Sequence, residues 1–79
     1  MKKLYQMSFN PKVLEKNKPE FLDVFCNYFL DQIGQVLYSN NSTGEIILLT
    51  ESKLIDQNKD FFKEQNIQIQ LKLNNNYKN

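Results

Sequence analysis

Histidine, arginine, tryptophan and alanine are absent from the 79-residue chain, and cysteine occurs once. Each absence removes a chemistry. Without histidine there is no Ser-His-Asp or Cys-His nucleophile system and no imidazole acid–base catalysis. A single cysteine forms no internal disulfide and, without histidine, no Cys/His zinc site. Such cysteine usage points to a reducing compartment. Without arginine the chain lacks the bidentate fork that reads guanine edges and clamps phosphates. The two glycines, Gly34 and Gly44, are too few for a P-loop or a dinucleotide-binding fingerprint. No catalytic residue, cofactor or metal ligand set is expected from this inventory.

What remains is nearly neutral. Ten lysines stand against nine carboxylates, giving a net charge of +1, so the broad basic field of a nucleic-acid binder is missing. The charge is unevenly spread. Residues 1–19 hold five lysines and one glutamate, whereas residues 20–66 hold three lysines and eight carboxylates. Eleven asparagines beside no alanine fit the codon usage of an AT-rich genome, such as that of a low-GC bacterium, its phage or plasmid, a protist or an organelle. The opening Met1-Lys2-Lys3 is followed by polar residues rather than an apolar run, so no signal peptide is expected. No stretch approaches the length of a membrane span. The expectation is a soluble cytoplasmic protein.

Periodicity supplies the architecture. Tyr5, Met7 and Phe9 alternate with Leu4, Gln6 and Ser8, which predicts a half-buried strand over residues 3–9. Asn10-Pro11 breaks it. Residues 20–33 read as a helix after Pro19. Phe21, Leu22, Phe25, Cys26, Tyr28, Phe29 and Ile33 share a broad arc, Glu20 and Asp23 sit in the first turn, and Gly34 is placed as the C′ glycine. Val36, Leu37 and Tyr38 suggest a short strand. Asn40-Asn41-Ser42-Thr43-Gly44 signals a turn, and the apolar run Ile46–Leu49 reads as a central strand. Residues 52–65 pattern as a helix weakened at Asp56-Gln57-Asn58. Ile67, Ile69, Leu71 and Leu73 then alternate with polar residues, ending in an edge strand protected by Lys72.

The order βαββαβ predicts an α+β fold of the ferredoxin-like kind. Its two-layer sandwich would set two helices on one face of a four-stranded antiparallel sheet, with the first and third strands central. Residues 1–73 would form the single domain and 74–79 a polar C-terminal tail.

Three readings of function follow. The leading one is a small non-catalytic protein–protein interaction module. It would act as a homodimer, or as an inhibitor or adaptor docked on a larger complex, including an anti-defence protein of a phage or mobile element. The interface is expected at Val24, Tyr28 and Leu30, where the first helix has more apolar surface than one buried stripe needs, and at the edge residues Gln68, Gln70 and Lys72. The second reading is a nucleic-acid or ribonucleoprotein contact through Lys12, Lys16 and Lys18, which would position phosphates without reading bases. The third is a small dimeric ferredoxin-like enzyme. Base stacking on the open sheet face is disfavoured, because the strand aromatics point to the helical side. Cys26, on the apolar arc, is expected to be an inert core thiol. The carboxylates Glu20, Asp23 and Asp31 are expected to be a solvated helix face.

Overall fold

The structure, a computed structural model, describes residues 1–10, 12 and 21–72. Strand β1 runs Lys2–Phe9. Helix α1 comprises Phe21–Phe25, a π-helical stretch Cys26–Leu30 and a last turn Asp31–Ile33. Strands β2 (Gly34–Asn40) and β3 (Glu45–Glu51) follow. Helices α2 (Ser52–Gln57) and α3 (Lys59–Glu64) lead to β4 (Ile67–Leu71).

The four strands form one antiparallel sheet in the order β2-β3-β1-β4. The class is α+β, with β1 and β3 central and β2 and β4 at the edges. The expected tail at 74–79 and the stretch holding Lys16, Lys18 and Glu20 lie outside the described residues.

Alternation along β1 decides which face is covered. Met7 stands between Ile46 and Ile69, and Tyr5 between Leu48 and Leu71. Apart from the exposed Leu71, these residues and Phe9 pack under Leu22, Phe25, Cys26 and Leu30 of α1 and under Ile55 and Phe62 of the later helices. Fully burying one such side chain contributes about 1.5–3 kcal/mol. The sheet's second face carries Gln6 and Ser8, the half-buried Ile47 and Leu49, and a buried Leu4 paired with Leu49. The strand aromatics Tyr5 and Phe9 belong to the helical side, and this second face offers no central-strand ring for base stacking.

All six phenylalanines of the chain form one connected aromatic cluster. Phe9 meets Phe21 and Phe25 edge-on, Phe25 and Phe29 meet Phe61, and Phe62 closes the group against Phe29 and Phe61. The cluster ties α1 and α3 together above the sheet. Inside α1 the Asp31 N–H reaches back five residues to the Cys26 carbonyl. Leu30 is fully buried and Phe29 is partly buried against the core; Leu22, Cys26 and Leu30, four residues apart, share one face of the helix.

Three local details shape the junctions between elements, the first of them against the sequence expectation. Gly34 ends α1 in extended geometry (φ −174°, ψ −158°), not as a left-handed cap. Its need for glycine is steric: a Cβ there would stand 2.5 Å from the Leu49 carbonyl oxygen and 2.7 Å from Thr50 Cβ. Buried Thr50 completes this junction by donating its hydroxyl to the Ile33 carbonyl. Second, the helical stretch begins at Ser52 and breaks at Asn58, within the segment expected to be weak. The Asn58 side chain donates to the Leu54 carbonyl at 2.8 Å and its N–H to Ile55 at 3.2 Å, so asparagine ends α2 through its own hydrogen bonds. Third, Asn66 takes a left-handed conformation (φ 59°) that turns the chain from α3 into β4. In the β2–β3 turn, Asn40 Oδ1 accepts from the N–H groups of Ser42 and Thr43, at 2.9 and 3.2 Å, and Gly44 supplies the positive φ of 75°.

Candidate docking edge

The residues expected at one interface lie on two sides of the molecule. Val24 (50% exposed) and Tyr28 (73% exposed) stand on the outer surface of α1. Leu30 is fully buried in the core, on the face it shares with Leu22 and Cys26 at four-residue spacing; its assignment to the surface is corrected. Gln68 and Gln70 are opposite Ser8 and Gln6, on the helix-free face. One flat partner surface cannot reach both groups. Lys12 is exposed, and its N–H is held by Asn10 Oδ1 at 2.9 Å.

Cys26 is 6% exposed within the core. Burial first, then the carboxylates of Asp23 and Asp31, push its thiol up from 9.0 to about 11. The neutral thiol therefore dominates at physiological pH and is a poor nucleophile. Asp23 and Asp31 are exposed, in keeping with a solvated helix face. Among the described residues no group of three His, Cys, Asp or Glu side chains comes together, and no helix is long and apolar enough to cross a membrane.

The outer edge of β4 has more character. Lys72 donates its N–H to the Leu4 carbonyl at 2.8 Å. Antiparallel ladders alternate inward-bonded and outward-facing residues. With Leu4–Lys72 bonded inward, Gln70 and Gln68 also bond inward, and the N–H and C=O groups of Ile69 and Leu71 face away from β1. The side chains of those same two residues turn toward the helical layer. There Ile69 and Leu71 line an open apolar groove of about 300 Å³ between β4 and α3, floored by Tyr5, Ile55, Phe62 and Ile67. Lys59 and Lys63, one helical turn apart, form its outer rim. Leu71 is 54% exposed at the groove mouth.

A second, more polar groove of about 520 Å³ continues along the start of β4, past Ser8, Asn10, Asn66 and Gln68. The two share Ile67 and Lys63. Free backbone groups, an apolar trough and two cations thus run side by side along one edge.

The periodicity of β4 and its Lys72 marked the edge in the sequence. Lys59 and Lys63 carried no sequence signal as site residues, because their role depends on α3 lying beside β4. No protein-family model, no curated protein and no solved structure matches the chain.

Proposed function

We propose that the chain is a non-catalytic protein–protein interaction module that receives an extended segment along β4. The observation that carries this reading is the coincidence, at Ile69 and Leu71, of outward backbone groups with an apolar groove. Strand addition uses both: main-chain hydrogen bonds supply affinity and pockets for alternate side chains supply selectivity. The same reading takes the βαββαβ order, with α1 joining β1 to β2 and α2–α3 joining β3 to β4, as a ferredoxin-like sandwich whose β4 edge is left for a partner. The small size of the domain supports it further, since a docked strand adds burial to a marginal core.

A Leu71→Pro variant tests it. Proline removes an outward N–H without breaking a bond to β1, which edge strands tolerate. Random peptides displayed on phage would be selected on the wild-type protein and rescreened on Leu71→Pro and on Tyr28→Ser. Peptides that keep binding Tyr28→Ser but lose Leu71→Pro support the reading. A selection yielding no peptide sensitive to Leu71→Pro contradicts it.

A further inference from the structure

We infer that the segment docking on β4 is an acidic strand of another protein, with both apolar side chains and carboxylates on the face it turns to the groove. The inference rests on the proposed role of β4 and adds the chemistry of its partner. An added strand would pleat in step with β4. Residues on its helical side would fall against Ile69 and Leu71 and reach the groove, where only apolar surface and the lysine rim are offered. Residues on its other side would stand opposite Gln68, Gln70 and Lys72, which share the helix-free face.

The charge at this edge has one sign. Lys59 and Lys63 are exposed at the groove rim, and Lys72 lies at the end of β4. Among the described residues none of the three forms an ion pair. Asp60 and Glu64 follow the two rim lysines in sequence, but about 100° round the helix, and neither lines the groove. Opposite charges across a strand pair stabilise it and like charges destabilise it. Complementarity therefore asks for carboxylates.

A second copy of this chain fits poorly. Two β4 edges paired with each other would bring three lysines of one copy toward three of its partner. The remaining free edge, β2, reads Gly-Gln-Val-Leu-Tyr-Ser-Asn over Gly34–Asn40 and contains no carboxylate. Among the described residues neither edge strand supplies the carboxylates, which favours a strand of another protein.

The test uses two synthetic heptapeptides with blocked ends, Val-Thr-Glu-Thr-Val-Thr-Glu and Val-Thr-Lys-Thr-Val-Thr-Lys, in which valine and the charged residue share one face, titrated into the isotope-labelled full chain and followed by amide NMR. The acidic peptide is expected to shift the amides of Ile69 and Leu71 and to bind more weakly as salt rises. The Lys59→Glu/Lys63→Glu double variant, altered only at exposed positions, is expected to weaken it by about tenfold. The basic peptide is expected to leave β4 unperturbed. If both peptides shift β4 equally, or the double variant binds the acidic peptide as well as wild type, the acidic partner is ruled out and the docking edge stands. If neither peptide shifts β4, the acidic partner falls, and the phage selection decides the docking edge separately.

Discussion

The rings of Phe29 and Phe61 lie with centroids 4.8 Å apart, joining α1 to α3 above the sheet. Through Phe25, whose ring is parallel to Phe61 within 6°, the contact runs down to Phe9 on β1. The groove beside β4 exists because this aromatic cluster holds α3 in place. Phe25→Ala is expected to cost about 3–5 kcal/mol. Phe61→Ala should cost less, because Phe61 is 37% exposed. A double-mutant cycle between Phe29 and Phe61, read by urea unfolding, should show a coupling of about 0.5–1.5 kcal/mol.

At the junction of α1 and β2, Gly34→Ala is expected to destabilise by about 1–3 kcal/mol, since its new methyl must displace the Leu49 carbonyl and Thr50. The effect is overpacking, not loss of a left-handed conformation. A Thr50→Val variant should lose about 1 kcal/mol with the hydrogen bond to Ile33. Thermal melts of both variants check this. Equal stability of Gly34→Ala and wild type would contradict the close approach.

Cys26 sets a pH dependence. Its thiol is raised from 9.0 to about 11 in the folded chain, so folding favours the protonated form. The stability this contributes is complete below pH 9 and is lost as pH rises through about 11. Cys26→Ser should flatten that part of the stability profile. At neutral pH the thiol of the native protein should react with a disulfide reagent far more slowly than that of the urea-unfolded chain.

The outer surface of α1 separates packing from docking. Tyr28→Ser should change stability by less than about 0.5 kcal/mol and leave β4 docking intact. Leu30→Lys should unfold the domain, because it buries an unpaired charge in the core. A folded Leu30→Lys protein in circular dichroism and NMR would overturn the burial of Leu30 in the core.

Much of this architecture is written in short-range pattern. Tyr5, Met7 and Phe9 announce the covered face of β1 by simple alternation, and Ile46–Leu49 announce a strand flanked on both sides. The turn at Asn40–Gly44 follows from residues that make their own hydrogen bonds. Leu30 reads as surplus surface because the cover over a broad apolar arc comes from elements distant in sequence. Gly34 reads as a cap because its close approach to Leu49 and Thr50 is a tertiary contact. The edge character of Gln68, Gln70 and Lys72 could be read from alternation and one lysine. The groove could not, because Lys59 and Lys63 become a rim only when α3 lies along β4, a contact between elements with no local sequence signature.

Docking on β4 requires a vacant edge, and amide hydrogen exchange of the free protein tests that most directly. At a concentration where light scattering gives the monomer mass, the amides of Ile69 and Leu71 should exchange fast while those of Gln70 and Lys72, bonded to β1, are protected. Equal protection of all four would mean that the edge is already paired in the monomer, and the docking account would be wrong.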